Sequence, residues 1–187
     1  MKKIFAIFVA MVCFMAVTQK AFCEEVLSDG KRYVLQKMVS QYSTSFNPAS
    51  KARVSNIKVA RKAINGVLVV PGKVISFNDL VGPRTEEKGF VEAGSYANGK
   101  KVTSIGGGIC QLASTLSAAT INLKLHVVER HRHSLPVSYI PSEMEATVAY
   151  GSKDFKFKNT SENVLFIKCF IKNDNHLYVE YWRCKEV

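Results

Sequence analysis

The period of the apolar residues changes near residue 125, and that change limits the fold more than any other feature. Ile109, Leu112, Leu116, Ala119 and Leu123 recur at three-to-four spacing, as one buried face of a helix requires. From His126 onward the period is two. "HVVERHRHS", "PVSYI", "TVAYG", "FKFKN", "VLFIKCFIK" and "HLYVEYW" each read as a strand, because alternate side chains of a strand share a face. Upstream, residues 24–46 place Val34, Leu35, Met38 and Val39 at helix-like spacing. A second helix is expected over 49–65, with Asn47 as its cap, Pro48 at its start and a stripe of Val54, Ile57, Ala60 and Ile64. Lys51, Lys58, Arg61 and Lys62 flank that stripe. Two short strands about a Pro-Gly turn follow Gly66, and Asn98-Gly99 suggests a hairpin. Helices first and strands afterwards predict an α+β fold: N-terminal helices and a central helix packed on a largely antiparallel sheet.

The chain opens on "MKK" and the apolar run "IFAIFVAMVCFMAV". This is the pattern of a secretory signal peptide, and the run is short for a bilayer-spanning helix. Small residues at Ala21 and Cys23 predict cleavage after Cys23; an uncleaved signal anchor is the other option. The remaining 24–187 is expected to form one domain. Loss of Lys2, Lys3 and Lys20 would take the net charge from +11 to +8. In an exported protein such a charge points to cell-wall peptide or an anionic envelope polymer, not to nucleic acid. The membrane is implied only through an uncleaved signal segment.

Three cysteines lie beyond that segment, Cys110, Cys169 and Cys184, so at least one is not paired within the chain. A hairpin turning at 173–175 sets Cys169 opposite Val179 or Glu180, and Cys184 opposite Val164 or Leu165. That stagger is too wide for a disulfide.

Cys110 begins the helix that follows Gly106, Gly107 and Gly108. It falls off the leucine stripe, on the side of Ser114. At a helix N-terminus the unpaired N–H groups favour a thiolate, and bare glycines let a ligand reach them. His131 and His133, two apart on an expected strand, point to one face, with Arg130 and Arg132 on the other. Glu145 enters a later strand, where a carboxylate can orient a histidine.

Three readings stay open. Cys110 is a nucleophile, with His131 or His133 as base, Glu145 as orienter, and Gln111 and Ser114 lining the pocket. Alternatively the glycine loop binds a carboxylate in a non-catalytic module for peptidoglycan or a glycopeptide-like ligand. Alternatively Cys110, His131 and His133 hold a zinc ion. No cofactor is called for.

The blocks "YSTSFNPASKARVSNIKVARKAING", "PGKVISFNDLVGPRTEEKGFVEAG", "GGGICQLASTL", "ERHRHS" and "EATVAYGSKDFKFKN" resemble the VanW-like family, named for accessory proteins of vancomycin-B-type resistance clusters. The resemblance runs from about Tyr42 to Trp182. It implies an exported cell-envelope protein of Gram-positive-type bacteria. This chain has Met144, Glu145, Ala146 and Thr147 where the family has a Gly-Asp-Ala-Thr-like block, and Arg132 where it often has Asn.

Overall fold

The computed structural model describes residues 25–28, 30–97 and 99–187. The signal segment expected over 1–23 lies outside the described residues. The fold is α+β, and every strand pairing in it is antiparallel.

The main sheet has five strands in the order β1-β2-β10-β9-β3. They are β1 (Glu25–Ser28), β2 (Lys31–Ser45), β3 (Val67–Val69), β9 (Val164–Lys172) and β10 (His176–Glu186). β9 and β10 form the expected hairpin, with Cys169 opposite Val179 and Cys184 opposite Val164. Asn173 and Asp174 make its turn with positive φ. A second sheet, β4-β8-β7, joins Val74–Ser76, Lys156–Lys158 and His126–Glu129. The hairpin predicted at residues 98–99 is β5 (Glu92–Ala97) and β6 (Lys100–Ile105), which pair only with each other.

The helix expected within 24–46 is instead a strand pair, β1 and β2. The helical spacing there is produced by bulges. Opposite β10, Ser40 faces Tyr181 and Met38 faces Trp182, so Val39 is extra; Lys37 faces Arg183 and Leu35 faces Cys184, so Gln36 is extra. Each extra residue shifts the alternation by one, and two shifts in four residues imitate a period near four.

Helix α1 (Lys51–Ile64) buries Ile57, Ala60 and Ile64 as expected. Its cap position is Ser50, not Asn47. The Asn47 side chain accepts the Ala49 N–H at 3.0 Å, closing a turn just before the helix. Short helix α2 (Phe77–Val81) is capped by Ser76 Oγ on the Asp79 N–H.

Helix α3 (Cys110–Asn122) is the centre of the molecule. The sequence predicts one buried face, but every residue from Gln111 to Thr120 is buried. The small polar residues make this tolerable because most find partners. Thr115 and Thr120 donate to the carbonyls of Gln111 and Leu116 at 2.7 and 2.8 Å. Thr115 meets Thr44 of β2, and Thr120 meets Tyr181 of β10, each at 2.8 Å. Leu112 and Leu116 join Ile57, Ile64, Phe77, Phe157, Ile167 and Tyr181 in one core. Burial of this kind contributes roughly 1.5–3 kcal/mol per large side chain. The sheet is thereby fixed to the start of α3, which carries Cys110.

Candidate functional site

The path from β6 into α3 is a tight turn. The N–H groups of Gly107, Ile109 and Gln111 bond to the carbonyls of Ser104, Gly106 and Gly108. The N–H groups of Gly108 and Cys110 have no backbone acceptor among the described residues. Each glycine of the turn also makes room for something. A Cβ on Gly107 would stand 2.2 Å from the Ala93 carbonyl oxygen. A Cβ on Gly106 or Gly108 would stand 2.8 Å from Arg84 Cγ or 2.5 Å from Arg53 Cγ.

Asn56 of α1, fully buried, pins this turn to Val91, which leads into β5. Its amide nitrogen donates to the carbonyls of Val91 and Gly107 at 2.8 and 3.0 Å, and its oxygen accepts the Val91 N–H at 2.8 Å. Asn56→Ala strips three bonds and leaves the Gly107 carbonyl buried and unpaired. It is expected to destabilise the fold by roughly 2–3 kcal/mol, a drop of about 5–10 °C in Tm by thermal unfolding. A drop under about 2 °C would mean that the clasp is dispensable.

Cys110 is half-buried. Its Sγ lies 3.5 Å from Thr147 Oγ1 and 3.5 Å from both the nitrogen and the carbonyl oxygen of Val148. His133 stands close enough to act on the ionisation of the thiol. His133 Nδ1 stands 2.7 Å from Glu145 Oε2, with both side chains almost fully buried. With Glu145 as a carboxylate, Nδ1 carries the proton and donates. Nε2 is then the nitrogen left for the thiol, with Tyr139 Oη 3.4 Å away. Burial alone pushes the Cys110 thiol up, but His133, the Val148 backbone and Thr147 outweigh it, so the thiol is held below its ordinary range. Burial likewise pushes His133 down, and its interactions with Cys110 and Glu145 outweigh that and raise it. Both directions favour a thiolate–imidazolium pair.

The two histidines separate. The strand expected to carry both, β7, ends at Glu129. His131 keeps only an isolated bridge to Thr147 and turns its Nε2 to Glu129 Oε1 at 2.9 Å. That carboxyl is held down to about 2 by Lys156 and His131. Residues of "PVSYI" and "TVAYG" are likewise outside named strands. Cys110, His131 and His133 therefore do not converge, and no group of three or more His, Cys, Asp or Glu among the described residues is disposed to hold a metal.

Gln111 and Ser114 are buried and support the site from behind. Gln111 Nε2 donates to Thr44 Oγ1 and the Ser45 carbonyl at 3.0 and 2.8 Å, while its Oε1 accepts from Arg53 at 2.8 Å. Ser114 Oγ donates to the Ala146 carbonyl and accepts its N–H, at 3.1 and 3.0 Å, holding the segment after Glu145 against α3. Arg130 donates to the carbonyls of Glu143 and Glu145, so it fixes the same segment from the outside. Gly106 and Gly108 line the cleft with Cys110, and Gly107 lies beneath it.

That cleft measures about 670 Å³. Its walls are the β5–β6 hairpin, with Tyr96 and Val102, and the segment 147–153. Four side chains at the site carry no expectation from the sequence: Arg53, Arg84, Tyr139 and Thr147. Arg53 gave one signal, since it shares the α1 stripe with Ile57, Ala60 and Ile64, where an arginine needs a reason. Arg84 donates to the Gly82 carbonyl and to Asn78 Oδ1 at 2.8 and 2.7 Å, placing a fixed positive charge whose field reaches Cys110.

The family model of VanW-like proteins matches residues 52–182, from the first turn of α1 to β10, and so includes every residue of the site. The chain belongs to the VanW-like family. Among its curated relatives, an uncharacterized protein of Bacillus subtilis (strain 168), YoaR, is 38% identical over 136 residues, 73% of this chain and 45% of that protein. The vancomycin B-type resistance protein VanW of Enterococcus faecalis (strain ATCC 700802 / V583) is 30% identical over 115 residues, 59% of this chain and 42% of that one. This VanW-like chain thus spans less than half the length of either relative. No solved structure matches it.

Proposed function

We propose that this VanW-like protein is an exported cell-envelope enzyme that uses Cys110 for acyl transfer or amide hydrolysis on cell-wall peptide. One observation carries the reading: Cys110 lines an open cleft together with His133, whose Nδ1 is held at 2.7 Å by the buried Glu145. Export is supported by the basic-apolar start of the sequence, and the envelope by the family's link to a vancomycin resistance protein.

In this reading the thiolate attacks a carbonyl carbon, and the C–S bond forms as the carbonyl electron pair moves to oxygen. The N–H groups of Gly108 and Cys110 face the developing oxyanion. Collapse breaks the C–N bond, and His133 gives its Nε2 proton to the leaving amine. Water or a second amine then cleaves the thioester and returns a proton to His133. Glu145 keeps the imidazole in one tautomer throughout.

Incubation with p-nitrophenyl acetate and peptide mapping by mass spectrometry test this. The acetyl group is expected on Cys110, in a burst of nitrophenolate that Cys110→Ala removes. Acetylation spread over lysines, unchanged in Cys110→Ala, would sink the nucleophile.

A further inference from the structure

Three clefts adjoin one another, and two of them include Cys110. The open one carries Arg84 and Lys153. Sharing Cys110 and His133 with it is a slot of about 40 Å³, whose lining includes Arg53, Gly94, Gly108 and Tyr139. The slot shares Arg53 and Gly94 with a third cleft of about 390 Å³, which adds Lys51 and Lys101. No Asp or Glu lines any of the three. A path lined by cations alone concentrates anions along it.

Arg53 stands at the junction, and its place is fixed. Its Nη2 donates to Gln111 Oε1 at 2.8 Å, and its guanidinium lies 5.8 Å from the Tyr139 ring centre. Gly108 has no Cβ to obstruct the arginine stem as it crosses the turn. Among the described residues Arg53 has no carboxylate partner, and its Nη1 and Nε have no protein acceptor. A guanidinium of this kind matches the two oxygens of a carboxylate. A cavity needs about 10–15 Å³ to hold one water, so the slot of about 40 Å³ has room for a group the size of a carboxylate.

We infer that Arg53 receives a free carboxylate of the substrate, so that Cys110 acts on a carbonyl about one residue from a chain end and not on an internal bond. The inference rests on Cys110 being the nucleophile, and it names the substrate class: a short peptide or acyl-amino acid with an open carboxyl end.

Two alkylating reagents test it, since iodoacetate carries a carboxylate next to the carbon that Sγ attacks with loss of iodide, and iodoacetamide does not. For Cys110 the iodoacetate-to-iodoacetamide rate ratio is expected to exceed that of free cysteine, in the same buffer, by about tenfold. Arg53→Gln is expected to return it to the free-cysteine value, and Arg53→Lys to restore it in part. A wild-type ratio equal to that of free cysteine overturns the inference, as does one unchanged in Arg53→Gln. A ratio lost equally in Arg84→Gln assigns the effect to the summed field and also overturns it. With the unaltered protein, N-acetylglycine is expected to slow iodoacetamide labelling to a saturating limit, and N-acetylglycinamide to have no effect; equal effects count against Arg53 whatever the variants do. A Cys110 inert to both reagents overturns the nucleophile reading itself, an outcome distinct from an unselective but reactive thiol.

Discussion

At pH 7 iodoacetamide is expected to modify Cys110 and to spare Cys169 and Cys184. Burial pushes the Cys169 thiol up to about 12 and that of Cys184 to about 11, so neither forms appreciable thiolate at neutral pH. Cys110 is shifted the other way by His133, Val148 and Thr147 despite its burial. A thiol with a lowered pKa ionises earlier as pH rises, so its labelling rate reaches its plateau at lower pH than that of free cysteine. His133→Gln removes the group that contributes most to the lowering and leaves the burial. The midpoint should therefore move up. Each unit of that movement costs about tenfold in thiolate at neutral pH, so the rate at pH 7 should fall while the high-pH plateau persists. Glu145→Gln keeps the imidazole but removes the carboxylate that stabilises its charged form, and the midpoint should move in the same direction by less. A pH profile of labelling followed by mass spectrometry decides this. A His133→Gln profile that overlays the wild type would show that the imidazole does not govern the thiol.

Gly107→Ala is expected to cost more stability than any other alanine substitution in the turn. The obstacle is backbone: the new Cβ would lie 2.2 Å from the Ala93 oxygen, 2.6 Å from its carbon and 2.9 Å from the Gly94 oxygen. A flexible side chain can step aside, but a strand already fixed through Asn56 cannot. Overpacking against a rigid neighbour exceeds the usual 1–3 kcal/mol, and about 4 kcal/mol or outright failure to fold is expected. Gly94→Ala, one residue along the same strand, meets nothing within 4 Å and should change stability by no more than about 0.5 kcal/mol. Chemical denaturation of the two variants gives the contrast. Similar midpoints would mean that β5 is free to move away from the turn.

Legibility in the sequence followed the range of the interactions. Helix α3 and the β9–β10 hairpin were readable because their patterns are local and uninterrupted, and the pairing of Cys169 with Val179 is one of the two registers that a turn at 173–175 allows. Strand β2 was not, because its two bulges are defined only against β10. At the site, Cys110, His133 and Glu145 were readable as residue types in order. That His133 and not His131 turns to Cys110 depends on β7 ending at Glu129, whose side chain binds His131. Gln111 read as a pocket residue from its place beside Cys110, yet its contacts are to β2 and Arg53, all distant in sequence. Thr147 and Val148 reach the thiol because Ser114 and Arg130 hold their segment from two sides, and no local pattern encodes that.

The placement of the cysteines has a further, redox consequence. Cys169 is enclosed in the main core and Cys184 in the smaller cluster around Phe166, and all three thiols are free. Cys110 is thus the least enclosed of the three, and among the described residues it has no resolving cysteine beside it. A sulfenic acid formed there has no disulfide partner among them. Its recovery would then fall to small thiols entering by the same cleft.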